Sequence, residues 1–430
     1  MTTKRGSISS QEEISLWDIS ALEAIQYAPL DEDVETEVAI IGAGFSGLST
    51  ALHLAEKGIS CRVLDANKVG FGGSGRNCGM VNPGIWLPPQ DVRKVLGEEN
   101  ATTFLNAMGD APDYIFSLIE RFNIDCEATR NGTIHAAHSK SGFKELKGRA
   151  EEWIRRGRLV ELLDANKAKE MIGTARFHGG LLDRQAGTVN PMGYARGLAA
   201  VAERAGAMIH EKTEVTKLIQ QGDKWLVKTD QGDVLANKVL LSTNAYSDDL
   251  WPGLKQTLTH IHFYQVATEP LGHLADKILP GGQSVWDTGL VMFSVRKDKF
   301  GRLIVGSMGK LAGKNDCGSE YWAQKQLTKM FPELGQVKFD KSWHGVIGLT
   351  PDHLPRIHNP ASNLYALAGF NGRGITTGTI FGKAMADLFT GMPEGDLLLP
   401  ITKIKPDKGA LIREPVYEGC FKAWRFYKSI

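Results

Sequence analysis

Residues 37–65 read EVAII-GAGFSG-LSTALHLAEKG-ISCRVLD. The continuous apolar run at 38–41 is typical of a strand that is buried on both faces of a parallel sheet. Between residues 48 and 55, apolar side chains recur at intervals of three and four, which is the spacing of a helix that packs on such a sheet. Gly58 ends that helix, and a second apolar strand closes at Asp65. The stretch therefore predicts a strand, a tight turn, a helix and a second strand.

The turn has the pattern G-x-G-x-x-G. Gly42 permits the tight turn, Gly44 lets a pyrophosphate approach the backbone, and Gly47 allows close contact between helix and strand. The helix N-terminus offers N–H groups and a positive dipole to phosphates. Asp65 follows the last glycine by 18 residues, where an acid can accept the ribose hydroxyls of an adenosine. We therefore predict a dinucleotide site that also includes Phe45, Ser46 and Ala66.

The composition argues against several other classes of protein. The 430 residues carry 50 basic and 49 acidic side chains, so a formal net charge of +1 leaves no excess for nucleic-acid binding. Five widely spaced cysteines without a C-x-x-C pair indicate neither a disulfide framework nor a metal site. The N-terminus lacks the apolar segment of a signal peptide, and no window is apolar enough to cross a bilayer. We expect a cytoplasmic protein that binds no nucleic acid, no metal and no membrane.

A second glycine-rich segment, VGFGGSGRNCGM at 69–80, favours FAD over a nicotinamide cofactor. A nicotinamide-binding chain would normally continue to a third βαβ strand here, whereas this loop could pass over a second phosphate or a flavin ring. Ser74 and Arg76 could pair with the pyrophosphate. From composition alone a mobile surface loop is the alternative. The further residues of this loop assigned to the cofactor are Gly73, Asn77, Cys78, Gly79 and Met80.

Three motifs together resemble those of the D-amino-acid oxidase superfamily of FAD-dependent amine oxidoreductases. They are G-x-G-x-x-G at 42–47, S-G-R-N-x-G at 74–79 and G-F-x-G-x-G at 369–374. Within that superfamily the chain is similar to the γ-glutamylputrescine oxidoreductase group. The segments that carry this similarity are ALHLAEKG at 51–58, VGFGGSGRN at 69–77, ELLDAN at 161–166 and NAY at 244–246. The resemblance covers the chain from about residue 15 to its end.

The resemblance implies an α/β fold with α+β elements. A Rossmann-like FAD-binding domain would comprise residues 36–85, 180–247 and 341–395. A discontinuous substrate domain, built on a mostly antiparallel sheet, would comprise 86–179 and 248–340. Residues 1–35 would form an N-terminal segment. The tail, 396–430, is expected to dock as a helix on the body, with attachment to a bilayer surface as the alternative.

The resemblance also assigns further cofactor contacts. A strand near Val215 would contact the adenine side through its backbone, and the strand ending at Thr243 and Asn244 would close over the pyrophosphate. The third glycine motif and the helix after it would face the pyrimidine end of the flavin. Arg373, within that motif, would contact flavin or a substrate carbonyl, unless it is solvated on the loop. The residues assigned in this segment are Gly369, Asn371, Gly372, Arg373, Gly374 and Ile375.

The mode of FAD attachment and the candidate catalytic residues also follow from the resemblance. Monomeric sarcosine oxidases tether FAD to a cysteine where this chain has Gly345, so non-covalent FAD is expected. His344 precedes that glycine and is a candidate for a catalytic role. In the strand around 262–264, His262 and Tyr264 share one face and are the other candidates, with ordinary core or surface positions as the alternative.

The implied reaction is oxidation of the C–N bond of an amine, by hydride transfer to flavin N5, to an imine that water hydrolyses to an aldehyde. Relatives that oxidise glycine or sarcosine grip the substrate carboxylate with arginines, which this chain lacks within 343–347 and 369–372. A γ-glutamyl-polyamine-like amine is therefore favoured, with molecular oxygen or another acceptor reoxidising the flavin. The alternatives are an oxidase or dehydrogenase of N-methyl, secondary or D-amino acids, a flavin-bearing subunit without turnover, and a peripheral membrane dehydrogenase. The oligomeric state stays open.

Overall fold

The structure is a computed structural model that describes residues 14–311 and 317–429. Its helices are α1 (Leu16–Ser20), α2 (Phe45–Ala55), α3 (Gly73–Arg76), α4 (Pro89–Leu96), α5 (Glu98–Arg121), α6 (Lys140–Arg155), α7 (Ala165–Ile172), α8 (Pro191–Arg204), α9 (Cys317–Met330), α10 (Gly374–Phe389) and α11 (Ala410–Ser429).

Most strands belong to one of two large sheets. They are β1 (Val34–Ile41), β2 (Cys61–Leu64), β3 (Met80–Val81), β4 (Thr133–Ala136), β5 (Val160–Leu163), β6 (Gly180–Asp183), β7 (Gly187–Thr188), β8 (Met208–His210), β9 (Lys217–Gln221), β10 (Lys224–Lys228), β11 (Asp233–Leu241), β12 (Thr259–Thr268), β13 (Ser284–Asp287), β14 (Ser294–Lys297), β15 (Leu303–Met308), β16 (Phe339–Leu349), β17 (Arg356–Ala361), β18 (Leu364–Ala368) and β19 (Ile401–Thr402).

The first sheet has the order β19-β17-β18-β11-β1-β2-β8 and is parallel from β18 to β8. Helices α2, α5, α8 and α10 cover one face, where they share a core with alternate residues of β1 such as Val38 and Ile40. The other face is covered by a ribbon of β9 and β10, which buries Trp225 against β1 and β11. Because both faces of β1 are buried, its sequence is a continuous apolar run rather than an alternating one.

The second sheet has the order β16-β12-β15-β14-β13-β4-β6-β5, and all its pairs are antiparallel except β13 with β4. One face packs against α9 and α7 through a core that includes Trp322 and Ile172. The opposite face turns toward the parallel sheet. The predicted fold class, α/β with a mostly antiparallel second sheet, is confirmed.

The sheet topology shifts two of the predicted domain boundaries. Strands β6 and β16 pair within the antiparallel sheet, whereas the sequence placed 180–183 and residues from 341 onward with the FAD-binding segments. Apolar runs alone do not show which sheet a strand joins, because the partner strand is distant in sequence. Likewise the strand expected to include Val215 begins only at Lys217.

The chain ends in helix α11, which packs along β12. Glu414 accepts hydrogen bonds from the His260 N–H and ring, and Glu418 does the same for His262, with His Nδ1–Oε1 distances of 2.8 Å in both pairs. This arrangement is the docked helix that the sequence favoured. No helix in the part of the chain that the structure describes is long and apolar enough to span a bilayer.

Candidate active site

The carboxyl ends of the parallel strands meet along one edge of their sheet, and a cavity of about 1570 Å³ opens there. Gly42, Asp65 and Ser242 follow β1, β2 and β11 at this edge, and all three line the cavity. In open α/β sheets, ligands bind at this edge where the strand order reverses, here on either side of β1. The volume exceeds the roughly 300–1,000 Å³ typical of a pocket for one drug-sized ligand, so there is room for a dinucleotide and a substrate.

The first glycine turn brings backbone close to this cavity. Gly42 has a φ of +108°, which a side chain would strain. A Cβ at Gly47 would overlap the Gly42 carbonyl oxygen and lie 2.7 Å from Ser242 Oγ. The helix can therefore approach the strand this closely only because residue 47 is glycine. Gly44 is the N-cap of α2, and its backbone borders the cavity together with the first turn of that helix. The helix N-terminus therefore presents N–H groups to a ligand phosphate.

Asp65 fixes the turn as well as facing the cavity. Its Oδ2 accepts a hydrogen bond from the Ala43 N–H at 2.7 Å, and its Oδ1 accepts one from the Asn67 N–H at 2.8 Å. Burial raises the pKa of Asp65, and the two N–H donors oppose that rise. A carboxylate has further lone pairs beyond these two bonds, so Asp65 can still accept from ribose hydroxyls.

The second glycine segment folds across the first. Ser74 Oγ accepts a hydrogen bond from the Phe45 N–H at 3.0 Å, which places the short helix α3 against the N-terminus of α2. Asn77 and Cys78 follow on the cavity wall. The loop is held in place, because the Trp17 and Trp343 indoles donate to the carbonyls of Asn77 and Arg76, both at 2.9 Å.

The third glycine segment joins the same cavity from the other side of β11. Asn244 Oδ1 accepts a hydrogen bond from the Gly369 N–H at 2.8 Å, which ties the end of β11 to the turn after β18. Asn371 Oδ1 accepts from the Thr350 N–H at 2.9 Å, and Asn371, Gly372 and Gly374 line the cavity. All three glycine segments, far apart in sequence, thus border one cavity.

The structure brings most of the predicted site residues to this cavity. Those on its lining are Gly42, Gly44, Phe45, Ser46, Asp65, Ala66, Gly73, Ser74, Asn77, Cys78, Val215, Thr243, Asn244, His262, His344, Asn371, Gly372 and Gly374. The predicted residues that lie behind the lining are Gly47, Arg76, Gly79, Met80, Tyr264, Gly369, Arg373 and Ile375.

Arg76 lies behind the wall because it serves the loop itself. Its Nε donates to the Phe71 carbonyl at 2.9 Å and its Nη1 to the His344 carbonyl at 3.3 Å, with the guanidinium over the Phe71 ring. The sequence had placed Arg76 on the pyrophosphate, but its guanidinium donates to backbone carbonyls of the chain. Met80 pairs with Thr188 in a two-stranded ribbon, which likewise keeps it behind the loop.

The pairing of β12 agrees with the predicted faces of its residues but corrects the expected catalytic position of Tyr264. His262 and Tyr264 do share a face, but helices cover that face: Tyr264 is buried beside Trp322, with ring centroids 5.5 Å apart, and His262 binds Glu418. His344 pairs directly with Tyr264 and so lies on the same side of the sheet, with its ring 5.9 Å from that of His262. Tyr264 therefore cannot reach the cavity, and the two histidines line only the part beside α11.

The opposite face of the sheet carries residues that the sequence did not single out. Phe263 and Gln265 of β12 and His135 of β4 line the cavity. Trp286 lines it too and stacks on His135 with ring centroids 3.4 Å apart. Burial, followed by the charges of Arg149 and Arg373, lowers the pKa of His135 well below 6.5, so that ring is neutral at physiological pH. Alternation gives two faces to each strand, but only tertiary packing shows which one meets the cavity.

Arg373 occupies an unusual place at the turn before α10. It is only 8% exposed, and its guanidinium lies beside two indole rings that contact each other, 4.5 Å from the centroid of Trp86 and 4.9 Å from that of Trp286. Trp86 in turn donates its Nε1–H to the Asn371 carbonyl. Burial lowers the pKa of Arg373 to about 10, which leaves it cationic at neutral pH. The solvated position that the sequence allowed is therefore excluded.

Comparison with known proteins agrees with this geometry. The family model described as DAO, FAD dependent oxidoreductase, matches residues 37–388. The chain belongs to the DAO family of FAD-dependent oxidoreductases. It is 32% identical over 380 residues to gamma-glutamylputrescine oxidoreductase of Escherichia coli strain K12, covering 87% of this chain and 89% of that one. It is 27% identical to sarcosine oxidase subunit beta of Rhizobium meliloti, covering 78% and 79% of the two chains.

Solved structures show the same fold. Glycine oxidase from Geobacillus kaustophilus superposes with a TM-score of 0.70 at 21% identity, covering 87% of this chain and 100% of that one. This DAO-family chain is an enzyme that acts on CH–NH donors with FAD as its cofactor, as predicted. Among the described residues, no group of three or more His, Cys, Asp or Glu side chains could hold a metal ion.

The residues present fit FAD. The glycine cradle at Gly42 and Gly44, the α2 N-terminus and Asp65 together provide sites for a pyrophosphate and a ribose. Gly345 offers no atom for a covalent link, and a Cβ there would lie 2.6 Å from the Phe263 ring, so the site has no room for a tethering side chain. Non-covalent attachment is consistent with this position.

Proposed function

We propose that this enzyme oxidises the C–N bond of a long, γ-glutamyl-polyamine-like amine. The observation that carries the proposal is the extent of the cavity. It runs from the dinucleotide crevice to an aromatic and polar wall on the antiparallel sheet, formed by Phe263, Gln265 and Trp286. The resemblance to the gamma-glutamylputrescine oxidoreductase of Escherichia coli supports the substrate class.

The chemistry that bound FAD supplies is acceptance of a hydride from the carbon next to the amine nitrogen, which leaves an imine for hydrolysis. The protein has to desolvate the amine, hold it uncharged and orient it. The buried Gln265 can orient the amine, because its Oε1 has no hydrogen-bond partner among the described residues and can accept from an amine N–H. The rings of Phe263 and Trp286 exclude water from the same wall.

The test is anaerobic mixing of the purified flavoprotein with γ-glutamylputrescine. We expect the flavin absorbance to bleach with one equivalent of aldehyde formed per flavin, and further aldehyde to form once an acceptor is admitted. Peroxide release in air would indicate oxygen as the acceptor, whereas turnover only with an added quinone would indicate a dehydrogenase.

Sarcosine and N-methyl amino acids serve as the comparison substrates. Preferential bleaching by these compounds with release of formaldehyde would reject the proposed substrate class. No bleaching with any amine would reject the proposal as a whole.

A further inference from the structure

Two buried donors at one end of the cavity have no acceptor in the part of the chain that the structure describes: Nε1 of Trp286, on the cavity lining, and Nε of Arg373, just behind it. The Arg373 guanidinium forms no ion pair with a described carboxylate and instead lies against two indoles that contact each other. A buried cation without a counter-charge is costly. The corner around Arg373 is therefore suited to an anion that does not belong to the chain.

A second guanidinium strengthens this corner. Arg149, on α6, lines the cavity and donates from Nη2 to the Trp86 carbonyl at 3.4 Å. Its acidic partner is Glu145, at 3.4 Å, whose side chain is 59% exposed and so screens it weakly. The charge of Asp183 also acts on Arg373, but burial raises the pKa of Asp183 and the two side chains form no ion pair. Positive charge and N–H donors thus exceed their acceptors here.

At the other end of the same wall the unsatisfied group is a hydrogen-bond acceptor rather than a donor. The buried Gln265 presents an acceptor oxygen, Oε1, that has no partner within residues 14–311 and 317–429. A Cβ on the neighbouring Gly306 would lie 2.6 Å from that oxygen, so glycine is what leaves room for the amide. An amine N–H from a substrate would satisfy Gln265, as a carboxylate would satisfy Arg373 and Trp286.

The pairing register gives the separation of the two ends. Gln265 pairs with Gly306, Gly306 with Ser294, and Ser294 with Trp286, so they form one row across β12, β15, β14 and β13. Three strand spacings of about 4.8 Å separate the backbones of Gln265 and Trp286 by about 14 Å. An extended chain covers about 1.2 Å per covalent bond, so ten bonds span about 12 Å.

We propose that this row is a two-ended substrate site that selects amines by length. Gln265 accepts a hydrogen bond from the amine that is oxidised. Trp286 and Arg149, which line the cavity, bind a carboxylate about ten bonds away together with Arg373, which lies just behind the lining against Trp86 and Trp286. The inference deepens the proposed function and rests on it. In γ-glutamylputrescine ten bonds separate the terminal nitrogen from the α-carboxylate carbon, whereas glycine and sarcosine are too short to reach both ends.

The carboxylate end can be tested without turnover. Glutarate and its neutral diamide, glutaramide, are titrated into the oxidised holoenzyme, and binding is followed by the perturbation of the flavin spectrum. We expect glutarate to bind about tenfold to a hundredfold more tightly than glutaramide, since hydrogen bonds to a charged group contribute about 1.5–3 kcal/mol. R373M should abolish that preference and R373K should retain part of it.

The matched control is R155M, which removes an arginine that is 72% exposed on the same helix as Arg149. It should keep the glutarate preference. Flavin content and melting temperature show whether R373M is folded. If folded R373M prefers glutarate over glutaramide as strongly as the wild type does, the proposed carboxylate-binding end is wrong. R373K, which keeps a cation, covers the case in which R373M fails to fold.

The length selection is tested with γ-glutamyl diamines whose carbon chains run from two to six. We expect kcat/KM to peak at four or five carbons. Replacing the α-carboxylate of γ-glutamylputrescine by a carboxamide should raise KM about tenfold or more with little change in kcat, and R373M should be indifferent to that replacement.

The failures of the two proposals are distinguishable. A flat dependence on length, or no effect of the carboxamide, while γ-glutamylputrescine still bleaches the flavin would overturn the two-ended site and leave the proposed function standing. An absence of bleaching with every amine would reject the proposed function, and the selection of amines by length would fall with it. The glutarate titration would then still show whether the Arg373 corner binds a carboxylate.

Discussion

At the scale of single residues, the site depends on what is missing at certain positions as much as on what is present. Gly47 lets α2 approach the backbone at Gly42, and Gly306 leaves room for the Gln265 amide. Both glycines act by the absence of a Cβ. Conversely, Arg373 Nε and Trp286 Nε1 have no acceptor among the residues that the structure describes. Space left by glycines and buried polar groups without hydrogen-bond partners therefore indicate where ligands would bind.

A pair of helical glycines tests the steric argument. G47A should lose FAD and be destabilised by about 1–3 kcal/mol or more, because the added methyl group would overlap the Gly42 carbonyl oxygen. The matched control is G148A in α6, where a Cβ would meet nothing within 4 Å. That control should stabilise the protein by about 0.5–1 kcal/mol through the higher helix propensity of alanine. FAD content and urea-induced unfolding measure both effects, and a G47A protein with full FAD would refute the argument.

At the scale of elements, α11 is attached to β12 by two matched pairs. Residues two apart on the strand, His260 and His262, meet residues four apart on the helix, Glu414 and Glu418. Strand and helix spacings coincide here, because two strand residues and one helical turn both advance by about 6 Å. The pairs cover the face of β12 that α9 leaves free.

This attachment should depend on pH through Glu418. Burial opposes ionisation, but hydrogen bonds from His262 and from the Lys310 N–H outweigh it and lower the pKa of Glu418 below 4.5. A carboxyl group whose pKa is lower in the folded state than in the unfolded chain stabilises the fold at pH values above its unfolded-state pKa. That stabilisation is lost as the pH falls through the folded-state pKa. The melting temperature of the wild type should therefore fall on acidification below about pH 4.5.

E418Q should lack this part of the acid dependence, because its amide does not titrate. Melting temperatures measured from pH 7 down to pH 3 would show the difference as a shallower decline in the variant. E120Q, which removes an exposed acid on α5, is the control and should follow the wild type. Identical declines in E418Q and wild type would contradict the proposed contribution of Glu418.

At the scale of the whole molecule, the active site exists only because the two sheets are held together. Arg296 of β14 makes one of these links: its Nη1 donates to the carbonyls of Cys78 at 3.1 Å, Gly79 at 3.3 Å and Val189 at 2.7 Å. Its guanidinium also lies 5.0 Å from the ring of Trp17. The antiparallel sheet thus holds the second glycine loop, which in turn contacts the α2 N-terminus.

Removal of this link should loosen the cofactor loop from a distance. R296M removes the Arg296 donor from the Cys78 and Val189 carbonyls, at a cost of about 1–3 kcal/mol each, whereas the Gly79 carbonyl keeps its bond from the Val189 N–H. Both melting temperature and FAD affinity should therefore fall, the latter about tenfold or more. R296K keeps a donor group that can reach carbonyls and should recover part of the affinity. FAD titration into apoprotein measures the effect, and unchanged affinity in R296M would show that the loop does not need Arg296.

The sequence was sufficient for the cofactor crevice but not for the substrate wall. The turn at 42–47 can be predicted from a short segment, because the strand, the glycines, the helix and the acid lie within thirty residues. Tyr264 and Gln265 differ only in strand parity, and nothing local distinguishes the face under α9 from the face on the cavity. The sequence allowed a solvated loop position for Arg373 because Trp86 and Trp286, which it contacts, are remote in sequence.

The sequence by itself determined the parallel sheet and the glycine turns, because these follow from backbone conformations that short segments specify, and the motifs in those turns carry the family resemblance that implies the FAD chemistry. Only the tertiary structure decided which strand faces meet the cavity, that Arg76 serves the loop rather than a phosphate, and that buried donors and an acceptor lie at opposite ends of one wall. The physical reason is that burial and hydrogen-bond satisfaction depend on partners brought from distant parts of the chain.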